Sequence, residues 1–339
     1  MVIGDLMENK VRICVVDTVY SLFLYFIICG FNRNDVFIFS GGVPKKIRNN
    51  INHIYFPDIN LIHSRDSLFI WFYKNSINTI KQVFGILKLR FILFFKTLGK
   101  DVEVYGQGHL TFSYPLYEFK NSFIIEDGLG NYFDLKQPTK INPILNKFAN
   151  FFGIYVFSLK EGFGTHNNIK KVFLTKKNVP LEIKDKSQVI DMDKLWDLKS
   201  PFEKNKILKI FCLDDFNEFD DNLVLLLTEP FSEHDLLPFD EEISIYKEFI
   251  EKYPNIIIKT HPREKKDYGK LFSNVKVINV PFPIELLKYS GVKIDKIVTI
   301  CSTAVLNFKD SVDIEIYEKD TSSEYINDAI SVLKEKLYS

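Results

Sequence analysis

The chain alternates short apolar runs with longer amphipathic segments along most of its length. Short apolar runs between turn residues predict buried strands, and the amphipathic segments predict the helices that connect them. This alternation is typical of a parallel sheet with crossover helices, so we predict an α/β protein. The predicted strands lie at residues 11–16, 35–40, 52–57, 101–108, 122–128, 170–175, 187–192, 207–213, 222–230, 255–262, 274–280, 296–302 and 312–318. The predicted helices lie at residues 19–29, 67–98, 240–252, 283–289 and 322–337.

The alternation runs through the chain twice, on either side of a less regular stretch at 134–206. With 339 residues, the chain is also longer than one ordinary core accommodates. We therefore expect two Rossmann-like domains facing each other across a cleft, the first at 1–180 and the second at 181–339. Ligands of such sheets bind beyond the carboxyl ends of the strands.

The charge balance excludes one class of function. Lys and Arg total 44, as do Asp and Glu, and a net charge of zero argues against a general nucleic-acid-binding protein. The four cysteines lie in apolar runs without disulfide-like or metal-ligand spacing, which favours free thiols in a reducing compartment. Because the first residues also lack the pattern of a signal peptide, we expect a cytoplasmic protein.

One segment resembles a membrane span. Residues 13–31 include a single charge and are long enough to cross a bilayer. However, Asp17, Thr18 and Ser21 interrupt the segment where a strand would end and a helix would begin. We therefore predict a buried strand followed by a buried helix.

Polar residues recur where the predicted strands end. They are Asp17, Glu126 with Asp127, Thr228 with Glu229, Thr260 with His261, and Ser302 with Thr303. Glu126 and Asp127 are followed at once by Gly128. One interpretation is a surface turn, and the other is a strand that delivers a general base to a cleft.

His261 follows a predicted strand and precedes Pro262, which restricts the backbone of the residue before it. A lone histidine is more often structural. The flanking cations Lys259 and Arg263 favour a role beside a phosphate leaving group.

Two further positions suit a nucleotide. Ser302 and Thr303 lie between a predicted strand and a predicted helix, where they either cap the helix or bind an anion. Glu285 lies near the start of a proline-initiated helix, where it either favours the helix dipole or accepts hydrogen bonds from a ribose.

The sequence lacks both the G-x-G-x-x-G fingerprint and the P-loop pattern. The Asp-x-Asp pair formed by Asp191 and Asp193 lies in a region rich in acids and lysines, and we attribute it to chance. We therefore predict neither a metal site nor a bound cofactor.

Taken together, three motifs resemble glycosyltransferase family 52, the bacterial lipooligosaccharide and capsule sialyltransferases. They read "EDGLGNY", "KTHPRE" and "CSTAVLN", and the segments "ICVVDTVYSLF" and "VYGQGHLTFS" are also similar to this family. The resemblance therefore spans nearly the whole chain.

The resemblance implies a GT-B type fold with an acceptor-side first domain and a nucleotide-sugar-binding second domain. It implies inverting transfer of sialic acid from CMP-sialic acid to a terminal sugar such as galactose, without an obligatory metal. By motif matching, Asp127 is the general base with Glu126 beside it, and His261 faces the CMP phosphate. The implied donor-binding residues are Lys259, Pro262, Glu285, Ser302, Thr303, Thr228 and Gly128. Acidic residues ahead of the His-Pro strand are alternative bases: Glu233, Asp235 and Asp240.

Two alternatives to this function remain. One is a different enzyme on the same fold, either a transferase that uses another nucleotide-sugar donor or a sugar-nucleotide epimerase, and the other is a non-catalytic scaffold of a glycan assembly complex. The segment 84–98 mixes lysines and an arginine with bulky apolar residues, as a helix at a membrane interface would. Core packing or a dimer contact explains the same pattern, and the resemblance implies a homodimer.

Overall fold

The structure is a computed structural model that describes residues 9–56, 68–132, 161–213, 223–261 and 264–338. The chain divides into two compact units, Met1–Ile210 and Phe211–Ser339. The division falls after Ile210, whereas the sequence analysis places it after residue 180. The strand at 187–189 pairs with the first sheet, which keeps the residues around it in the first unit.

The first unit contains a sheet of seven parallel strands. Its strands are β1 (Lys10–Val16), β2 (Val36–Phe39), β3 (His53–Tyr55), β4 (Asp101–Gly106), β5 (Ser122–Ile125), β6 (Ile169–Leu174) and β7 (Ser187–Val189). They are arranged in the order β3-β2-β1-β4-β5-β6-β7. The order reverses between β1 and β4, and the crevice at such a reversal is the usual ligand site of an open α/β sheet.

The helices of the first unit, among the described residues, are α1 (Val19–Cys29), α2 (Lys45–Arg48), α3 (Leu68–Thr97), α4 (Pro115–Glu118), α5 (Met192–Asp197) and α6 (Pro201–Ile210). A π-helical turn lies at Glu161–Thr165, and 3₁₀ turns lie at Leu129–Tyr132 and Leu181–Lys186.

The segment that resembles a membrane span forms β1 and α1, which confirms the predicted strand and helix. Thr18 caps α1, since its hydroxyl accepts a hydrogen bond from the Ser21 backbone N–H at 3.2 Å. Residues 22–27 are fully buried within the unit, which explains why the helix is apolar all round. Among the described residues, no helix combines the length and the apolarity that crossing a bilayer requires.

The predicted strand at 207–213 is wrong, because residues 207–210 form the end of helix α6 and residues 211–213, which follow it, form no strand. Ser200 and Glu203 form a capping box in which the Ser200 N–H donates to the Glu203 carboxylate at 3.1 Å. Pro201 then occupies the first position of the helix. Ile207 and Ile210 are buried while Lys206 and Lys209 are exposed, which is helical spacing.

The second unit contains a sheet of five parallel strands. Its strands are β8 (Leu223–Leu227), β9 (Ile256–Lys259), β10 (Lys276–Ile278), β11 (Ile294–Thr299) and β12 (Asp313–Ile316). Their order is β10-β9-β8-β11-β12, so this sheet reverses between β8 and β11. Its described helices are α7 (Phe239–Lys252), α8 (Tyr268–Leu271) and α9 (Glu324–Tyr338).

Two predicted helices of the second unit are 3₁₀ turns. Residues 284–289 form one, and residues 303–307, which begin at Thr303 of the Ser-Thr pair, form another. A third 3₁₀ turn lies at Ser232–His234. Turns this short have little of the aligned dipole of a long helix, which weakens the predicted anion site at a helix N-terminus after β11.

Helix α3 presents two different faces. Ile86, Leu89 and Leu93 are buried in the core of the first unit. The opposite face exposes Phe84, Leu87, Phe91, Phe94, Phe95 and Leu98. Core packing therefore explains only one side of this helix.

Candidate active site

The first group of polar residues, the Asp127 cluster, consists of Thr18, Gln107, His109 and Asp127. Thr18 follows β1, Gln107 and His109 follow β4, and Asp127 follows β5. Because these three strands are neighbours in a parallel sheet, their carboxyl ends bring the four side chains together. The cluster lies where the strand order reverses, at the position expected for a ligand.

The Asp127 carboxylate is held from several directions. Its Oδ1 accepts hydrogen bonds from the Gln107 side-chain amide and, at 3.1 Å, from the Thr18 hydroxyl. Its Oδ2 lies 3.1 Å from Nε2 of His109. The Asp127 backbone N–H donates to the Asn131 side chain at 2.7 Å. Asp127 is thus fixed in position while its side chain keeps 19% of its surface exposed.

His109 is the other partly exposed member of the cluster. Its imidazole stacks on the Phe163 ring, with centroids 5.1 Å apart and an interplanar angle of 21°. One ring edge contacts Asp127, and 27% of the side chain is exposed. The aromatic ring and the carboxylate together set the direction in which the imidazole points.

Two glycines shape the cluster. Gly106 ends β4 with a φ of +152°, and a side chain there would put a Cβ 1.9 Å from the Val15 carbonyl oxygen. The glycine therefore lets β4 pass close to β1 and places Gln107 beside Asp127. Gly128 has a φ of +93°, which turns the chain immediately after Asp127.

Glu126 is buried and contacts a separate set of residues. Its Oε2 accepts hydrogen bonds from the Tyr132 hydroxyl at 2.6 Å and from the Thr175 N–H and hydroxyl at 2.6 and 2.8 Å. Burial raises the pKa of the Glu126 carboxyl above its ordinary value, and these hydrogen bonds oppose the shift. The carboxylate that contacts His109 is therefore that of Asp127, while the Glu126 carboxylate contacts Tyr132 and Thr175.

The second group, the His261 turn, consists of Thr228, which follows β8, and of His261 and Glu264, which come after β9. The backbone N–H of His261 donates to the Glu264 carboxylate at 2.8 Å, and the Thr228 hydroxyl donates to the same carboxylate. The imidazole Nε2 lies 3.9 Å from the Glu229 carboxylate, with 30% of the side chain exposed. Glu264 thus fixes the turn that carries His261, while the adjacent Pro262 lies outside the described residues.

Lys266 neutralises the carboxylates behind this turn. Its Nζ contacts Glu233, lies 2.9 Å from Glu242 and lies 3.5 Å from Glu264. These three carboxylates are close enough together to surround a metal ion, but the ammonium is already among them. Although burial opposes it, the hydrogen bond from Lys266 lowers the pKa of Glu233.

Lys259 is a buried cation at the end of β9. Only 5% of the residue is exposed. Its Nζ donates to the Thr260 carbonyl at 3.0 Å and lies 4.7 Å from the centroid of the Phe282 ring. Burial lowers the pKa of Lys259 to about 8, and nearby Glu264 opposes the shift. The ammonium is therefore poorly solvated, and an anionic ligand would compensate for its burial.

The remaining donor-side candidates lie after β10 and β11. Glu285 is nearly buried and accepts a hydrogen bond from the Asn307 side chain at 2.7 Å, which joins the two 3₁₀ turns. Ser302 is buried, and its N–H donates to the Thr299 hydroxyl at 3.1 Å. Thr303 is exposed.

The other acidic candidates have different surroundings. Asp191 caps α5 by accepting from the Lys194 N–H at 3.0 Å, which accounts for its place in the Asp-x-Asp pair with Asp193. Asp235 and Asp240 are both exposed, and the αL conformation of Asp235 ends a 3₁₀ turn.

Sequence reasoning missed several members of these groups. Gln107 and His109 lie in "VYGQGHLTFS", where two glycines bracket Gln107 directly after a strand. That spacing was the available signal, because close glycines mark a tight exit from a buried strand. Glu264 and Lys266 gave no signal, since Thr228, Glu233 and Glu242, which they also contact, are distant in the sequence.

Comparisons with known proteins show the family of the chain. The sequence model of Glycosyltransferase family 52 matches residues 45–322. An uncharacterized protein of Haemophilus influenzae, strain KW20 Rd, is 34% identical over 252 residues, which cover 73% of this chain and 76% of that protein.

Solved structures share the fold. One is a 2,6-sialyltransferase of Photobacterium sp. JT-ISH-224 in complex with the donor product CMP and the acceptor substrate lactose. It has a TM-score of 0.55 at 12% identity, over 97% of this chain and 76% of that chain. A UDP-GlcNAc 2-epimerase of Neisseria meningitidis has a TM-score of 0.48 at 15% identity, over 94% and 85% of the two chains. The first likeness confirms the predicted α/β fold of the GT-B type, with two Rossmann-like units.

Proposed function

The chain belongs to glycosyltransferase family 52, and from that premise we propose that it transfers sialic acid from CMP-sialic acid to a terminal galactose of a bacterial surface glycan. The glycan is a lipooligosaccharide or a capsule, and the transfer inverts the configuration at the anomeric carbon. The observation that carries the proposal is the Asp127 cluster, a partly exposed carboxylate and imidazole at the reversal point of the first sheet.

The Asp127 cluster suits the acceptor side of this reaction. Transfer with inversion requires a group that removes the proton from the acceptor hydroxyl while the sugar gains oxocarbenium character. General base assistance of this kind contributes roughly 10²–10⁴-fold to a rate. The cluster supplies both a carboxylate and an imidazole for that task. Glu126 supports the loop that carries Asp127, because its carboxylate accepts hydrogen bonds from Thr175.

The second unit suits the nucleotide donor. Charge develops on the CMP phosphate as it leaves, and the imidazole of His261 can stabilise it. Lys259 supplies a poorly solvated positive charge, and Ser302, Thr303 and Thr228 supply hydroxyls. Glu285 serves the ribose. Because the leaving group is a monophosphate, we propose that the reaction proceeds without a metal ion or another cofactor.

The fold relative from Photobacterium supports the choice of substrates. That enzyme was crystallised with CMP and with lactose, a sugar that ends in galactose. We carry both ligands to this chain as proposals. The family membership supports a sugar transferase, and the buried ammonium of Lys259 in the second unit favours an anionic donor.

The test is a product analysis with purified protein. CMP-sialic acid is offered with a panel of galactose-terminated acceptors, and UDP-sugars are offered in parallel. We expect sialylated product from the first donor alone. Transfer from a UDP-sugar would replace the donor in this proposal, and a chain that neither transfers nor hydrolyses any donor would be a scaffold.

The outer face of α3 supports a location at the cytoplasmic surface of a membrane. Its exposed apolar stripe, which includes Phe91 and Phe95, is flanked by the exposed Lys81, Lys88 and Lys96. The segment 84–98 contains no acidic residue, so anionic lipids would attract this face. Sedimentation with anionic and zwitterionic vesicles tests this location.

The homodimer implied by the resemblance is a separate proposal, and light scattering tests it by measuring the mass of the protein in solution.

A further inference from the structure

We infer that Nδ1 of His109 is the atom that accepts the proton of the acceptor hydroxyl, and that Asp127 positions the imidazole for this step. The inference rests on the proposed function, which it deepens by naming a second residue at the acceptor side. His109 would be a catalytic residue, and Asp127 a positioning residue.

The Asp127 carboxylate already accepts hydrogen bonds at both oxygens. Oδ1 accepts from Gln107 and Thr18, and Oδ2 lies 3.1 Å from the His109 ring nitrogen. An incoming hydroxyl would have to displace one of these donors before its proton could reach Asp127. The carboxylate therefore has the surroundings of an orienting group.

The contact with Asp127 determines which nitrogen of His109 carries the proton. An ionised carboxylate only accepts hydrogen bonds, so Nε2 of the contacting imidazole must carry a proton. In the neutral ring Nδ1 then carries a lone pair. Within the described ranges, Nδ1 hydrogen-bonds to no other residue. A carboxylate that fixes a histidine tautomer in this way is the arrangement that activates the base of serine hydrolases.

Two contacts fix the direction of the His109 ring. Phe163 stacks against one face of the imidazole, and Asp127 holds one edge. A ring fixed on a face and an edge keeps one direction for its remaining nitrogen. Of the titratable groups described, Asp127 is the one in contact with the ring, so its charge stabilises the imidazolium that forms.

The proposed step couples transfer of the acceptor's proton to transfer of the sugar. The acceptor oxygen forms a bond to the anomeric carbon as its proton moves to Nδ1 of His109. The bond from that carbon to the CMP phosphate oxygen breaks, and its electron pair leaves with the phosphate. The imidazolium returns its proton to water after the product leaves.

Kinetics of matched variants provide the first test. We expect His109→Ala to lower kcat at least about a hundredfold while the KM for the donor changes little. Added imidazole should restore part of the rate in this variant, because a free base can replace the missing ring. His53→Asn is the matched control, since His53 lies in β3 and stacks on Phe39 instead. Turnover by His109→Ala within a few-fold of wild type would overturn the inference.

Nitrogen-15 NMR of the imidazoles separates this inference from the proposed function. The chain has six histidines, and the signal missing from His109→Ala identifies the ring. We expect the neutral tautomer with its proton on Nε2 at neutral pH, and loss of that preference in Asp127→Asn. A proton on Nδ1 would overturn the inference whichever donor the enzyme uses. If this tautomer is found but CMP-sialic acid is not a substrate, the proposed donor fails and the pairing of the two residues stands.

Discussion

The two α/β units arrange their central strands in the same order, yet the carboxyl edges of their sheets carry different chemistry. In the first unit, side chains after β1, β4 and β5 surround the Asp127 carboxylate. In the second unit, a buried lysine and several hydroxyls accompany His261 after β8, β9 and β11. The topology determines where a ligand can bind, and the loops determine which ligand it is.

The units also differ in how they hold their functional groups. The first fixes Asp127 through side chains of neighbouring strand ends. The second fixes the backbone of His261 through the carboxylate of Glu264, which lies three residues farther along the chain. The first edge is therefore suited to moving a proton, and the second to holding an anion. Substitutions in each unit should therefore affect different parts of the reaction.

Asp127→Asn should have the largest effect. The amide keeps the size of the side chain but can neither accept a proton nor fix the His109 tautomer as a carboxylate does. We expect kcat to fall by about 10²–10⁴-fold, while affinity for CMP-sialic acid stays close to that of the wild type. Steady-state kinetics and donor titration by calorimetry measure the two quantities.

Glu126→Gln is the matched control for this substitution. It changes the adjacent carboxylate, which hydrogen-bonds to Tyr132 and Thr175. The loss of kcat should be clearly smaller. If the two variants lose activity equally, the distinction between the two carboxylates is wrong.

His261→Ala should lower the transfer rate by about 10²-fold, because one group that stabilises the departing phosphate is removed. The fold should survive, since the ring is partly exposed and the turn is held through the backbone. His234→Ala serves as the control, because His234 is an exposed histidine of the same unit. Near-normal turnover in His261→Ala would remove this residue from the mechanism.

Lys259→Met should weaken donor binding by about tenfold, the usual cost of one charge-assisted contact. The same variant should be more stable than the wild type at pH 7, by roughly 1–3 kcal/mol, because it no longer buries an ammonium. Thermal unfolding and donor titration test both effects. Lys276→Met, at an exposed lysine of β10, should change neither.

The pH dependence of this effect has a definite sign. Burial lowers the pKa of Lys259 to about 8 from its ordinary value of 10.5. Between these two values the unfolded chain binds more protons than the folded one, so Lys259 makes stability rise with pH across this window. The stability gain of Lys259→Met should therefore shrink from pH 8 towards pH 10.5.

Removal of divalent metals should have the smallest effect. The three carboxylates that could surround a metal ion, Glu233, Glu242 and Glu264, instead surround the ammonium of Lys266. We expect the same activity with and without EDTA. Strict dependence on added Mg²⁺ or Mn²⁺ would direct attention to Asp191 and Asp193.

Much of the fold could be predicted from the sequence, because buried parallel strands appear as continuous apolar runs. This signal identified β1 and α1 even though together they resemble a membrane span. It failed at residues 207–213, because Ile207 and Ile210 are apolar residues at helical spacing within α6 and residues 211–213 form no strand. The capping box of Ser200 and Glu203, just upstream, was the signal for a helix.

The candidate site was predictable only in part. Asp127 and His261 follow strands and precede turn residues, which local patterns display. His109 contacts Asp127, which follows a different strand, and a local pattern does not show such a contact. The hydrogen bond between Asp127 and Gln107 joins residues that meet only because β4 and β5 are neighbours. Pairing of strands therefore supplied what spacing in the sequence could not.

The hydroxyl of Thr18 belongs both to the N-cap of α1 and to the surroundings of Asp127. The Thr18 carbonyl also accepts from the Leu22 N–H at 3.1 Å, so the first turn of the helix depends on the same residue. Local opening of that turn must disturb the carboxylate, and a molecule that requires an ordered Asp127 must oppose the opening. Occupancy of the first unit is therefore readable as slower hydrogen exchange at the amides of Ser21 and Leu22.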